Sequence, residues 1–128
     1  MIKGFILLAA AAIAAAPASN FTGAPVVSVA LSEYRFTPPD VRLAPGKPMI
    51  LRLSNSAQQP HEFAAPAFFK AATIRPGDAR LINKEGEVEL APGQRVDIHL
   101  MARPGTYDLR CNKPGHAAMG MRGAILVK

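Results

Sequence analysis

From Val26 onward, apolar residues recur at every second position in short runs that Pro and Gly cut apart. Val27, Val29 and Leu31 alternate with small or polar neighbours, and Met49, Leu51 and Leu53 do so up to Asn55. Val96, Ile98 and Leu100 alternate with Arg95, Asp97 and His99, and Tyr107, Leu109 and Cys111 keep the same phase. Shorter stretches at Val41–Leu43, His61–Phe63, Val88–Leu90 and Ile125–Val127 fit the same pattern. Ala44-Pro45-Gly46-Lys47-Pro48, Ala91-Pro92-Gly93-Gln94 and Pro104-Gly105 separate these runs as turns. A period of two puts alternate side chains on opposite faces of a strand, so many such runs between turns predict an all-β sandwich or barrel. One segment departs from the rule. Ala67-Phe68-Phe69-Lys70-Ala71-Ala72 predicts one or two helical turns near 66–73, and Pro76-Gly77-Asp78 predicts a turn.

The first residues read differently. Met1-Ile2-Lys3 is a short positive start, Phe5 to Ala16 is apolar, and Ala16-Pro17-Ala18 presents small residues in an A-x-A arrangement. This is the pattern of a secretory signal peptide over 1–18, with cleavage after Ala18. The apolar run is short for a bilayer span, so no stable membrane insertion is expected after cleavage; an uncleaved anchor is the competing reading. Residues 19–25 are small and polar and predict a flexible lead-in, leaving 26–128 as one domain. The destination implied is the periplasm or the exterior.

Loss of Lys3 leaves 14 basic against 9 acidic residues, a net charge of +5. That moderate bias suits an acidic partner surface. The basic residues are scattered without a basic helix or interleaved aromatics, which argues against nucleic acid. With one Cys in the whole chain, no internal disulfide can form. An unpaired Cys in an oxidising compartment is buried, shared between chains or chemically employed.

Its surroundings favour employment. Cys111-Asn112-Lys113-Pro114-Gly115-His116-Ala117-Ala118-Met119-Gly120-Met121 places a thiol, an imidazole and two thioethers in one loop. Strand phase points the Cys111 sulfur inward, and Pro114-Gly115 bends the chain so that His116 returns toward it. A thiolate donates strongly to Cu(II) and stabilises Cu(I), imidazole suits copper, and a distant thioether tunes the potential. A second imidazole must come from elsewhere. His61 is available, whereas His99 alternates with Ile98 and Leu100 and is expected to face solvent.

The stretch from Cys111 to Lys128, with Cys, four residues, His, four residues, Met and then a Gly-containing apolar strand, resembles the ligand loop of the cupredoxins, the plastocyanin, azurin and rusticyanin family. The resemblance spans Val26 to Lys128. It implies a Greek-key β-sandwich of about seven to eight strands and one mononuclear type 1 copper ion per chain. It implies His61, Cys111 and His116 as ligands and Met121 as the axial thioether, with Met119 as the alternative. It also implies that the Glu62 backbone N–H reaches the sulfur, with Asn112 beside it as a further supporting residue. The family commonly carries Asn, Ser or Thr where this chain has Glu62. That carboxylate could compete as a ligand and change the colour of the site.

The small and apolar residues Pro114, Gly115, Ala117 and Ala118 around His116 form a candidate docking patch, with Lys113, Arg110 and Arg122 as a basic rim. The function implied is a one-electron carrier that serves, as a monomer, a redox protein such as a cytochrome or an oxidase with an acidic face. Copper tolerance or delivery on the same site is the alternative, although the chain lacks a dedicated Met/His-rich tract. A Cys111–His116 nucleophile and base is a third reading. The strand-loop setting and the want of an oxyanion motif speak against an enzyme.

Overall fold

The computed structural model describes residues 20–128; the expected leader, 1–18, lies outside the described residues. Ten strands build two five-stranded sheets that face each other across one apolar core. They are β1 (Val26–Ser32), β2 (Arg35–Thr37), β3 (Asp40–Leu43), β4 (Pro48–Asn55), β5 (His61–Ala64), β6 (Thr73–Ile74), β7 (Glu87–Leu90), β8 (Arg95–Met101), β9 (Gly105–Arg110) and β10 (Arg122–Val127). One sheet runs β2-β1-β4-β8-β6 and the other β3-β10-β9-β5-β7. Pairs β1/β4 and β3/β10 are parallel and the remaining pairs antiparallel, so both sheets are mixed.

The alternation does the sorting. Val29, Leu31, Leu51, Leu53, Ile98 and Leu100 of the first sheet are buried against Val41, Leu43, Val88, Leu90, Leu109, Ile125 and Val127 of the second. Each of these positions removes a branched apolar side chain from water, worth roughly 1.5–3 kcal/mol before entropy is counted. The strand count exceeds the expected seven to eight because Arg35–Thr37, not read as a strand in the sequence, forms β2. Pro38 and Pro39 have no N–H to give a ladder, so β2 stays with the first sheet and β3 crosses to the second. The two-residue β6 adds another.

The helical segment is α1 (Pro66–Ala71), with Pro in its first turn, where a missing N–H costs nothing. It buries Phe68 and Phe69, which meet Tyr107 and Phe63 at ring-centroid distances of 5.6 and 5.9 Å. Pro76–Leu81 forms a 3-10 helix where a simple turn was expected. The described part of the lead-in makes contacts of its own. Ala24 N–H donates to Phe21 O, Ile50 N–H donates to Pro25 O, and the Phe21 ring meets His99 edge-on at 5.4 Å. Among the described residues no helix is long and apolar enough to cross a membrane.

Candidate metal centre

Three donor residues from two parts of the chain meet at one end of the sandwich. His61 opens β5, and Cys111 and His116 lie on the connection from β9 to β10. One ligand atom from each lies within 4.8 Å of those of the other two. His61 Nδ1 is 3.2 Å from His116 Nδ1, and Cys111 Sγ is 3.5 Å from His116 Nδ1. The two Nδ1 atoms and the sulfur thus face one point. These are three of the four residues that the sequence singled out as donors.

Local chemistry explains how each arrives. β9 pairs with β5 at Arg110–Ala64, which sets Cys111 beside β5 at the mouth of the sheet. The Glu62 N–H then donates to Cys111 Sγ at 3.4 Å. The connection closes on itself: Cys111 N–H donates to Met121 O, and Met121 N–H to His116 O. Gly115, at a φ of 78°, makes the left-handed turn that reverses the chain before His116. Met121 is fully buried, while Met119 is 63% exposed. That contrast separates the two thioethers: Met121 joins the buried core, and Met119 faces solvent.

On the other side, Asn55 sets the loop that delivers His61. Its amide group donates to Gln59 O and Leu90 O and accepts from Ala57 N–H, all within 3.0 Å. A polar residue at a strand end was the sequence signal for this role, but alternation alone reads it only as the end of an apolar run.

The Glu62 carboxylate turns toward Lys113. Strand pleating sends it to the face opposite His61, opposite Glu89 of β7. Its Oε1 lies 3.5 Å from Lys113 Nζ, and its Oε2 is buried without a hydrogen bond. Burial and the neighbouring Glu87 carboxylate push the Glu62 carboxyl above the ordinary carboxylate range, against the pull of Lys113. Asn112 donates to Glu87 Oε2 at 2.7 Å and Lys113 to Glu89 Oε1 at 2.8 Å. The residues just after Cys111 are therefore fastened to β7. Lys113 is paired with Glu62 and Glu89 inside this cluster. Arg110 is paired with Asp108. Pro114, Gly115, Ala118 and Met119 are exposed beside the half-buried His116 and Ala117.

His99 also differs from expectation. It leaves the sandwich core, as its phase requires, but only 17% of its side chain is exposed. The 3-10 helix and the lead-in cover that face of β8, and buried Asp78 accepts from both the His99 backbone N–H and its ring at 2.8 Å. Alternation within one strand carries no information about a segment laid over it from elsewhere.

The donor set fits a soft or borderline metal. Burial, aided by His116 and opposed by Glu33, holds the His61 imidazole below its ordinary value, so the neutral, ligating form prevails near neutral pH. Burial raises the Cys111 thiol despite the Glu62 and Lys113 backbone N–H groups, so a metal must displace its proton. One further ring completes the surroundings: Tyr34 stands edge-on to His116 at 5.2 Å and to His61 at 6.5 Å.

Fold and site together define a small β-sandwich domain with a Cys-His-His cluster at one end. Residues 4–127 match the family model described as the cupredoxin-like domain, and the chain belongs to that family. Similar solved structures have the same fold. A dithionite-reduced auracyanin from the photosynthetic bacterium Roseiflexus castenholzii aligns over 86% of this chain and 98% of its own, with TM-score 0.60 and 18% identity. Auracyanin A, a blue copper protein from Chloroflexus aurantiacus, aligns over 81% and 99% at TM-score 0.57 and 19% identity. A multicopper oxidase aligns over 81% of this chain but 38% of its own, with TM-score 0.60 and 16% identity. No curated protein matches the sequence.

Proposed function

We propose that this chain is a periplasmic one-electron carrier with a mononuclear type 1 copper centre. The observation that carries the reading is the convergence of Cys111 Sγ and the two Nδ1 atoms of His61 and His116 on one point at the end of a rigid sandwich. When bound, copper supplies reversible one-electron exchange without bond making. The chain supplies the rest. Strand β5 and the closed β9–β10 connection hold the donors in place, so little rearrangement accompanies a change of charge. The Glu62 N–H would stabilise the thiolate, and buried Met121 would offer its thioether to the metal. A fully buried thiol supports a carrier over a nucleophilic enzyme, which must show its sulfur to substrate.

The half-buried His116 is the exit. Pro114, Gly115, Ala117, Ala118 and the exposed Met119 form the contact for a redox protein with an acidic face, such as a cytochrome or an oxidase, met by the monomer with Arg122 at the edge. The leader supports export. Absorption and voltammetry of the copper-loaded protein test the proposal. An intense thiolate-to-copper band and reversible cycling, both lost in Cys111→Ser, are expected. An unchanged band in Cys111→Ser would overturn it. Rapid copper loss to a chelator together with sluggish electron exchange would transfer the site to copper tolerance or delivery.

A further inference from the structure

The β1–β2 turn lies over the imidazole pair, and nothing in the sequence pointed to it. Because both Nδ1 atoms face the candidate centre, the His61 N–H must sit on Nε2 when a metal is held. His61 Nε2 is buried and has no hydrogen-bond partner. A buried imidazole N–H left in that state is unfavourable, because it has lost its hydrogen bonds to water and gained none in return. The carboxylate placed to relieve it is that of Glu33, whose Oε2 lies 3.7 Å from Nε2. The other Glu33 oxygen accepts the Gln58 N–H at 3.3 Å, which ties the turn to the loop that delivers His61. Tyr34, the next residue, holds a left-handed φ of 62°, an unfavourable conformation for a bulky side chain that needs support from its surroundings. Its ring finds that support against both imidazoles.

We infer that Glu33 is a positioning residue for His61. A closure of about half an ångström or a little more turns the 3.7 Å separation into a hydrogen bond from Nε2–H to the carboxylate. The result is a carboxylate–imidazole–metal relay that fixes the ring's rotation and makes it a stronger donor. Tyr34 holds the turn at the height this contact requires. The inference rests on His61 being a metal ligand, as proposed above.

The test compares wild type, Glu33→Ala and Glu33→Gln, each loaded with Cu(I) or Zn(II) and labelled with nitrogen-15 at histidine. Glu33 is 43% exposed on a turn, so the fold should survive both changes, with the melting temperature as control. In wild type the His61 Nε2–H should exchange slowly with solvent. In Glu33→Ala the protection should vanish and metal affinity fall about 10–100-fold. Glu33→Gln keeps an acceptor, so it should retain protection while its copper potential shifts upward from that of wild type. Equal protection and equal affinity in wild type and Glu33→Ala would overturn the role. A wild type that holds zinc with the protected N–H but shows no copper charge-transfer band would overturn only the copper reading. A wild type that holds neither metal would overturn both.

Discussion

Asp78 shows how a single buried charge can fasten two segments that share no strand. It sits on the 3-10 helix, is 5% exposed, and receives the Arg75 side chain at 2.9 Å along with the backbone and ring of His99. Burial alone would raise its carboxyl. The His99 N–H, the Arg75 guanidinium and the His99 ring outweigh that and hold it below the ordinary 3.8. A depressed carboxylate stabilises the fold in full above its unfolded value, and the contribution is lost as pH falls through the folded one. Asp78→Asn should therefore cost about 1.5–3 kcal/mol near neutrality, the range for hydrogen bonds to a charged group. The gap between wild type and variant should begin to narrow below about pH 4, where the unfolded carboxyl takes up its proton, and close as pH falls through the lower folded value. Urea melts at pH 7 and pH 3 check this; a gap of the same size at both would show that the charge contributes nothing. The same residue marks a limit of reading by periodicity. His99 was legible as pointing out of the core, but its partner lies 21 positions away, on a segment whose sequence shows only a Pro-Gly turn.

At the scale of elements, legibility followed the alternation. β4, β8, β9 and β10 could be read residue by residue because each has one wet and one dry face. β5 was legible only as a short run and not face by face: all of its residues, His61 to Ala64, are buried, so its period carries little contrast. The parallel pairing of β3 with β10 was also hidden, since nothing local specifies a partner some eighty residues away along the chain. That pairing leaves a mark at Gly123. A Cβ there would run into the Pro39 carbonyl, the same carbonyl that accepts the Ala124 N–H at 3.0 Å, and would press on Leu109. The obstacle is backbone, so it cannot swing aside as a side chain would. Gly123→Ala should destabilise the protein by about 1–3 kcal/mol, the usual cost of overpacking. Because Gly123 follows Met121 by two residues, the strain should also weaken metal binding. Calorimetry with and without copper separates the two effects, and a variant with unchanged melting temperature would show that β3 moves away freely.

For the molecule as a whole, the ligand loop was legible because its residue types are rare together and closely spaced, whereas the Glu33–Tyr34 turn was not, because a Glu and a Tyr on a hairpin carry no chemical signature until the fold sets them above two imidazoles. The assembled site makes stability a function of both metal and acidity. A metal that binds only the folded chain stabilises it by about 2.7 kcal/mol at a hundredfold excess over its dissociation constant. For a domain near this size that raises the melting temperature by roughly 10 °C or more. The gain depends on pH with a definite sign. His61 resists protonation in the folded state, so below its ordinary 6.5 the unfolded chain binds a proton that the folded chain does not, and the metal-free protein loses stability as pH falls. The metal-linked gain shrinks over the same descent, because protons compete for the imidazoles and for the Cys111 sulfur, whose raised thiol must release its own proton on loading. Melting curves with and without copper at pH 7.5, 6 and 4.5 should therefore show an increment that narrows with acidity and is absent at every pH in Cys111→Ser. An increment that persists in Cys111→Ser would mean that copper stabilises the chain somewhere other than between β5 and the β9–β10 connection.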